Sequence, residues 1–348
     1  MLITLTGAQH GDRIRAWLTR LGFEARVVQR GQALLVQDPW MPWGVKDALS
    51  SDPGVACLDE TQALPQRVLR QGPQDEALDA WHLGEVPVIA GPCAVEDPDM
   101  IGQAAAFCAS LGIRWLRGGT DKTRTRVDAF QGLGARGAAW LREAADAHGM
   151  KVVTEVTDTP EAEAIAAFAD VLMVGARHMH ASRHLQRVGR IGKPVILKRG
   201  LAASPEEWLR AAEYLLEAGA PSVAFCERGS RSANPLKRFT LDLAAVPFIR
   251  EMSAFPVLVD PSHAAGYSPY VAPLARAAIA AGAHGVVVEC HPDPACARSD
   301  ALQALDFQAL AALVTDLRRL QAVTQPGSLS LPSAVTREGA TLEKAAQP

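Results

Sequence analysis

The first sixty residues alternate short apolar stretches with amphipathic ones, and their order predicts a small domain of mixed helices and strands. Four stretches have the apolar, β-branched character of strands: residues 1–6, 23–28, 33–37 and 54–59. Two others carry apolar side chains at helical spacing: residues 12–21 and 43–50. The resulting order, βαββαβ, is typical of the ferredoxin-like fold. We therefore predict a ferredoxin-like domain over residues 1–60 and a polar linker over residues 61–85.

Beyond residue 86, short apolar strands alternate with longer helical segments rich in Ala and Leu. Eight strands are predicted, within residues 87–93, 113–119, 151–156, 171–177, 194–200, 222–229, 255–263 and 285–292. Strands separated by helices pair in parallel, and continuous apolar runs are buried on both faces. We predict an α/β fold, a (β/α)8 TIM barrel over residues 86–323, with an open doubly wound sheet as the alternative. Residues 324–348 are polar and contain proline, which predicts a disordered tail.

A polar or ionisable residue ends each predicted barrel strand. The eight residues are Cys93, Arg117, Glu155, Arg177, Lys198, Arg228, His263 and Glu289. A single such residue is most simply a solvated loop charge. In TIM barrels, however, the chemistry lies at the carboxyl ends of the strands. Eight polar groups at that same end therefore indicate a functional site.

Composition limits the classes of partner. The 348 residues carry a net charge of −3, which gives no global basic field for nucleic acid. No run of about 18 apolar residues predicts a membrane span, and the first residues lack the pattern of a secretory signal. Six cysteines in a chain of this length are typical of free thiols rather than a disulfide framework. We therefore expect a cytoplasmic protein without a nucleic-acid or membrane partner.

Two sets of side chains at the predicted mouth carry candidate chemistry. The first is cationic and consists of Arg117, Lys122, Arg124, Arg126, Arg177, Lys198, Arg199 and Arg228. In a chain of negative net charge, converging cations indicate a ligand with more than one anionic group, because guanidinium binds phosphate and carboxylate bidentately. Arg199 follows Lys198 directly, so we expect its side chain to point to the other face and to pair with a carboxylate.

The second set, Cys93, His263, Glu289 and Asp300, offers sulfur, nitrogen and oxygen donors. Such a mixture favours a divalent Mn, Fe, Co or Zn ion over Ca or Mg. The residues can meet only if the barrel places its seventh, eighth and first strands side by side. The alternative is structural, with Cys93 as a small buried hydrophobe and His263 as a hydrogen-bonding group. From the residues alone, both interpretations stay open.

Motifs in order along residues 85–322 resemble the type I DAHP (3-deoxy-D-arabino-heptulosonate 7-phosphate) synthases, in the branch with an N-terminal ferredoxin-like domain. They include AGPCAVED, RGGTDKTRT, GAR, LKRGLAA, CERG, VDPSHAAG and ECHPDP. The resemblance implies a metal-dependent transferase that condenses phosphoenolpyruvate with erythrose 4-phosphate. The products would be DAHP and phosphate, in the first step of the shikimate pathway of aromatic amino acid biosynthesis. It also implies a regulatory-type N-terminal domain and a homo-oligomer, a dimer or tetramer.

The resemblance assigns roles to individual residues. It implies that the metal ligands are Cys93, His263, Glu289 and Asp300, and that the catalytic residues are Lys122, His263 and Cys93. It implies that the substrate-binding residues are Arg117, Arg124, Thr125, Ala176, Arg177, Lys198 and Arg228. Of these, Arg124 stands where the family binds the phosphate of the aldehyde.

The departures from the family pattern fall on the side of the aldehyde acceptor. Thr123 replaces a proline, Arg126 a small hydroxyl residue, and Phe239 a residue that is usually Asn. These differences suggest an alternative function, the same phosphoenolpyruvate chemistry on another aldehyde in a specialised pathway. A second alternative is a catalytically weak homologue with a regulatory role.

Overall fold

The computed structural model describes residues 2–28, 33–36, 41–59, 67–68, 87–122, 127–232 and 238–324. The chain divides into two compact units, one within residues 1–64 and one within residues 65–329. Apart from Arg67 and Val68, the predicted linker lies outside the described residues, and so does the predicted tail from residue 325 onward. The domain boundaries at residues 60 and 85 stay predictions.

The smaller unit is a four-stranded antiparallel sheet with two helices. In chain order the elements are β1 (Leu2–Leu5), α1 (Gly11–Arg20), β2 (Ala25–Val28), β3 (Ala33–Val36), α2 (Trp43–Ser50) and β4 (Val55–Asp59). The strands lie in the order β2-β3-β1-β4, with antiparallel pairing between neighbours. The predicted ferredoxin-like βαββαβ order is therefore confirmed.

The core of this unit follows from the two periodicities of its sequence. Ile14, Trp17 and Leu18 on α1 are spaced by three and four residues and are buried against Ile3 and Leu34 of the sheet. Burial of this apolar face stabilises the helix on the sheet at about 25 cal/mol per Å².

The larger unit is a closed barrel of eight parallel strands. They are β5 (Val88–Gly91), β6 (Trp115–Arg117), β7 (Lys151–Glu155), β8 (Val171–Val174), β9 (Val195–Lys198), β10 (Val223–Glu227), β11 (Val257–Val259) and β12 (Gly285–Glu289). The accompanying helices are α3 (Pro98–Ser110), α4 (Gly134–Asp146), α5 (Ala162–Ala167), α6 (Ser182–Arg190), α7 (Pro205–Ala218), α8 (Ala245–Met252), α9 (Pro261–Ala265), α10 (Ser268–Ala280) and α11 (Phe307–Thr324). The predicted (β/α)8 barrel is confirmed, and the open doubly wound sheet is excluded because β5 pairs with both β6 and β12.

Alternation along the strands places the functional residues. A compact cluster of apolar side chains fills the barrel interior: Ile89, Trp115, Val153, Val171, Met173, Ile196, Ala224, Cys226, Leu258 and Val287. Because side chains in a strand repeat every two residues, the next inward positions lie two residues further on. In six strands these positions hold an ionisable residue: Arg117, Glu155, Lys198, Arg228, Asp260 and Glu289. We call these six residues the inner row.

Small residues make room for the inner row. At Gly175, the inward position of the strand β8, an added Cβ would collide with the Glu155 carboxylate. Gly91 has a φ of 148°, and a Cβ there would strike the backbone of Arg117 on the neighbouring strand. Gly175 therefore leaves space for the Glu155 carboxylate, and Gly91 allows the backbones of two neighbouring strands to approach closely.

Candidate active site

Four side chains with metal-ligating chemistry converge at the carboxyl-terminal mouth of the barrel. They are the predicted ligands Cys93, His263, Glu289 and Asp300, whose donor atoms all lie within 4.8 Å of one another. His263 Nε2 lies 3.4 Å from Glu289 Oε1 and 3.6 Å from Asp300 Oδ2. Cys93 Sγ lies 3.4 Å from Asp300 Oδ2. One sulfur, one nitrogen and two carboxylates suit a divalent transition ion, so the residues present fit such an ion. Their role as ligands stays a prediction.

The barrel order explains why residues so far apart in sequence meet. The strands β11, β12 and β5 are neighbours, as the metal hypothesis required. Glu289 ends β12 and Cys93 follows β5 by two residues. Asp300 comes from the loop after β12, in a left-handed backbone conformation with a φ of 53°. A non-glycine residue in this conformation is uncommon and is often found at functional sites.

The seventh strand differs from the sequence expectation. His263 does not end this strand but lies on the five-residue helix α9. The inward residue after β11 is instead Asp260, whose side chain accepts a hydrogen bond from the His263 backbone N–H and caps α9. The turn into a helix brings His263 Nε2 to the other three donors.

The local environment sets the charge of three of the four donors. Burial and the negative Glu289 raise the pKa of Cys93 to about 12, so the free thiol is protonated at neutral pH. Burial lowers the pKa of His263, which keeps the imidazole neutral. Burial opposes ionisation of Asp300, but His263 and Arg238 outweigh it and lower the pKa of Asp300 to about 2. A metal ion bound here would therefore displace a proton from the Cys93 thiol.

Beside the four donors lies a cavity with a cationic wall. Its lining includes Lys122, Glu155, Ala176, Arg177, Lys198, Arg228, Phe239, His263 and Asp300. Lys198 Nζ donates to Asp260 Oδ2 (2.6 Å), and Lys122 Nζ donates to the Cys93 carbonyl oxygen (2.8 Å). Burial and the nearby Arg238 and Arg177 lower the pKa of Arg228. An anion in this cavity would relieve the repulsion between these cations.

Two arginines of the inner row keep unused donors. Among the described residues, no partner accepts a hydrogen bond from the buried Nη1 of Arg228 or the buried Nε of Arg117. The Arg228 guanidinium lies 4.4 Å from the centre of the Phe239 ring, which can stabilise the cation without satisfying its N–H groups. Arg117 lies deeper and donates through Nη1 to Glu289 Oε1 (2.6 Å). Buried donors without partners are costly, so both arginines are suited to receive a ligand.

The predicted aldehyde loop is only partly described. Lys122 lies in the cavity, whereas Thr123, Arg124, Thr125 and Arg126 lie outside the described residues. The roles of Arg124 and Thr125 stay predictions.

Arg199 behaves as the sequence predicts. Its side chain points away from the cavity, and Nη1 donates to Glu227 Oε2 (2.9 Å) and to Asp242 Oδ2 (2.7 Å). Its Nε donates to the Ala203 carbonyl oxygen (2.9 Å). Glu227 in turn accepts from the Gly229 backbone N–H. We call Arg199, Glu227 and Asp242 the outer row; it is an ion-pair network on the helix side of the strands.

Sequence reasoning missed three residues that contact the candidate ligands. Asp260 binds both Lys198 and His263, Gln303 donates to Glu289 Oε2 (2.5 Å), and Arg238 donates to Asp300 Oδ1 (3.2 Å). The spacing of two residues from Leu258 could have identified Asp260. Gln303 and Arg238 come from loops in which no periodicity marks a direction.

The comparisons with known proteins agree with this fold. A model of the DAHP synthetase I family matches residues 84–325. Because this match covers more than half of the 348 residues, the chain belongs to the DAHP synthetase I family.

Two relatives and one solved structure illustrate the similarity. The chain is 45% identical over 252 residues to the phospho-2-dehydro-3-deoxyheptonate aldolase of Thermotoga maritima, covering 71% of this chain and 75% of that protein. It is 32% identical over 257 residues to the 2-dehydro-3-deoxyphosphooctonate aldolase of Thiobacillus denitrificans, covering 68% and 90%. A crystal structure of the Thermotoga maritima DAHP synthase matches with a TM-score of 0.72 and 36% identity, covering 92% of this chain and 96% of that one.

Proposed function

We propose that this protein condenses phosphoenolpyruvate with erythrose 4-phosphate to give DAHP and phosphate. The observation that carries the proposal is the cationic cavity directly beside the four metal-ligating side chains. The higher identity to the heptonate aldolase than to the octonate aldolase supports the four-carbon aldehyde as acceptor.

Phosphoenolpyruvate carries two anionic groups, and the cavity has cations for both. Arg177, Lys198 and Arg228 would bind the phosphate, since their side chains line the same wall. Arg117 and Lys122 would bind the carboxylate, on the side of Cys93. Fixed cations of this kind stabilise charge that moves onto oxygen atoms during the reaction.

Cys93, His263, Glu289 and Asp300 would hold a divalent ion. The ion, when bound, would supply Lewis-acid activation of the aldehyde carbonyl. Mn, Co, Fe and Zn all suit this donor set.

Lys122 is the candidate proton donor. Burial disfavours its charge, but Cys93 and Glu155 outweigh burial and raise the pKa of Lys122, which keeps the ammonium protonated. Carbon C3 of the enol attacks the aldehyde carbon, and Lys122 Nζ would protonate the new alkoxide. Because the attack uses the C2=C3 electron pair, C2 is left electron-deficient. A water molecule adds there and releases a proton, which restores the Lys122 ammonium, and phosphate then leaves with cleavage of the C2–O bond so that C2 becomes the ketone carbon.

The proposal is tested by following phosphoenolpyruvate consumption with purified, Mn-loaded protein and a panel of phosphorylated and free aldoses. We expect the highest kcat/KM with erythrose 4-phosphate and release of one phosphate for each molecule of DAHP. A higher kcat/KM with another aldose would establish the altered acceptor instead. Absence of turnover with every aldose would support the weak regulatory homologue.

Phe239 is the observation that favours testing other acceptors. It is the one departure among Thr123, Arg126 and Phe239 that falls on described residues, and its ring lines the cavity. Compared with the asparagine that is usual in the family, an aromatic ring here narrows the cavity beside Arg228 and offers no hydrogen bond to a sugar hydroxyl.

A cytoplasmic location and a dimeric or tetrameric assembly are further parts of the proposal. No helix among the described residues is long and apolar enough to cross a membrane. The assembly rests on the family resemblance alone, and sedimentation of the purified protein would measure it.

A further inference from the structure

Asp260 joins the two halves of the candidate site through one oxygen atom. The residue is fully buried. Its Oδ2 accepts a hydrogen bond from Lys198 Nζ at 2.6 Å and lies 2.8 Å from His263 Nδ1. Its Oδ1 accepts from the backbone N–H of His263 at 2.9 Å. The Asp260 carboxylate therefore contacts both Lys198, a cation of the cavity wall, and His263, a candidate metal ligand.

Counting donors and acceptors fixes the tautomer of His263. The ammonium of Lys198 can only donate, and the backbone N–H of His263 can only donate. Both carboxylate oxygens are thus acceptors, so the short contact with His263 requires the hydrogen to be on Nδ1. In the neutral imidazole, the lone pair is then on Nε2, the nitrogen that faces Glu289 and Asp300.

We propose that Asp260 is a positioning residue that holds His263 in its metal-binding tautomer and couples metal binding to the binding of an anion in the cavity with the cationic wall. This inference rests on the proposed function, because it takes the cavity as the phosphoenolpyruvate site.

The coupling has a defined direction. An anion in the cavity draws Lys198 Nζ toward itself and weakens its hydrogen bond to Asp260 Oδ2. The carboxylate then accepts more strongly from His263 Nδ1–H, which makes Nε2 a better electron donor. Phosphoenolpyruvate therefore tightens metal binding, and by reciprocity the metal tightens phosphoenolpyruvate binding.

Asparagine cannot replace Asp260 in this arrangement. If its amide nitrogen occupied the Oδ2 position, it would face two donors, and His263 would have to carry its hydrogen on Nε2. If the amide were reversed, the nitrogen would face the His263 backbone N–H and the cap of α9 would be lost. Either outcome removes the lone pair of Nε2 from the cluster or displaces the ring.

The test compares Asp260→Asn with Asp242→Asn, which makes the same chemical change at a carboxylate that binds Arg199 and touches neither Lys198 nor His263. Metal-free proteins are titrated with Mn(II) and with Co(II) by calorimetry. We expect Asp260→Asn to weaken metal binding by about 10- to 100-fold, the range typical of residues that orient metal ligands. Asp242→Asn should stay within about threefold of the wild type. Equal affinities for all three proteins would overturn the proposal.

Histidine-selective ¹⁵N NMR reads the tautomer directly, with the His263 signals assigned from a His263→Gln variant. In the metal-free wild type we expect the hydrogen on Nδ1, and in Asp260→Asn a shift of the hydrogen to Nε2. A wild-type His263 that carries its hydrogen on Nε2 would contradict the proposal even if Asp260→Asn fails to fold.

The coupling is measured by repeating the Mn(II) titration with saturating phosphoenolpyruvate and no aldehyde. We expect phosphoenolpyruvate to tighten metal binding in the wild type and in Asp242→Asn, and to do so less in Asp260→Asn. The same tightening in all three proteins would show that Asp260 carries no coupling. None of these measurements involves turnover, so failure of the proposed condensation would be seen separately, as an inactive wild type.

Discussion

The inner and outer rows of the barrel mouth contain the same kinds of charged side chain but serve different purposes, ligand binding and stabilisation of the fold. Lys198 and Arg199 are adjacent in sequence and equally buried, yet their side chains lie on opposite sides of the strand β9. Arg199 donates to two carboxylates and a carbonyl oxygen. The inner row instead leaves N–H groups of Arg117 and Arg228 without a partner among the described residues. Satisfied charges stabilise the fold, whereas unsatisfied donors such as those of Arg228, which lines the cavity, are suited to a ligand.

The largest expected effect concerns the four candidate metal ligands Cys93, His263, Glu289 and Asp300. Cys93→Ala removes one donor of four, and we expect turnover to fall on the order of 10³-fold, since a bound ion contributes several kcal/mol to catalysis. The bound metal should fall in parallel when measured by mass spectrometry. A Cys57→Ala variant, at an exposed cysteine of the smaller unit, is the matched control. Retained turnover in Cys93→Ala would separate the cluster from the chemistry.

The outer row is expected to affect stability instead. Arg199→Met leaves the buried Glu227 without its cationic partner, which typically costs about 3–5 kcal/mol in the free energy of unfolding. The double variant Arg199→Met/Glu227→Gln should recover part of this loss, because the uncompensated charge is removed. Urea unfolding of the two variants measures both effects. Equal stability of Arg199→Met and wild type would show that the network is not structural.

Glu227 gives this loss a pH dependence. Burial raises the pKa of Glu227 even beside Arg199, and removing Arg199 must raise it further. Because a raised folded-state pKa favours folding below the unfolded value of about 4.3 and disfavours it above, the deficit of Arg199→Met should shrink as the pH falls from 8 to 5. A deficit that grows on acidification would contradict this assignment.

Phe239 allows the role of Arg228, a residue of the inner row, to be tested from its neighbour in the cavity. Its partly buried ring contacts the buried Arg228, and a cation–π contact to a desolvated cation contributes about 1–2 kcal/mol. Phe239→Ala should therefore raise the KM for phosphoenolpyruvate by roughly 5- to 30-fold, with a smaller change in kcat. Phe239→Leu retains bulk without the π-face and is the control. Equal KM values in Phe239→Leu and wild type would assign the ring to shape alone.

The smallest effect is expected in the smaller unit, where Asp52 shows the opposite pH behaviour to Glu227. Two hydrogen bonds from Arg13 and one from the Gly54 N–H hold this buried carboxylate, and they lower the pKa of Asp52 against the effect of burial. Asp52→Asn should cost about 1 kcal/mol at pH 7. The difference should vanish as the pH falls below the unfolded pKa of about 3.9 and through the lowered folded value. Denaturation at several pH values measures it.

Strand periodicity made most of the mouth predictable. In six of the eight strands an ionisable residue follows the last apolar interior residue by two positions, so a barrel assignment sufficed to place Arg117, Lys198 and Glu289 at the cavity end. The same rule predicted that Arg199 would point away. These positions depend on one local repeat and one closed topology, both of which the sequence specifies.

The positions of His263 and Asp300 could not be predicted in this way, because both residues lie outside the strands, where no side-chain periodicity applies. His263 does not continue the strand β11, because a short helix begins after Asp260. Extending the strand to His263, as the sequence suggested, therefore assigns the wrong residue to the inward position, which Asp260 occupies. Asp300 lies in a loop and itself has the left-handed backbone conformation that brings its side chain to the cluster. Its carboxylate placed it among the candidate ligands, but strand periodicity gave no position for it, and the resemblance implied its role.

Binding of phosphoenolpyruvate to the metal-free Lys198→Met and Arg199→Met variants tests the central claim most directly, because the two changes remove adjacent cations from opposite faces of one strand. We expect Lys198→Met to lose about 10- to 100-fold in affinity, the contribution of a charge-assisted hydrogen bond. Folded Arg199→Met should bind within about threefold of the wild type. Equal losses in the two variants, or a larger loss in Arg199→Met, would contradict the division into a ligand-binding inner row and a structural outer row.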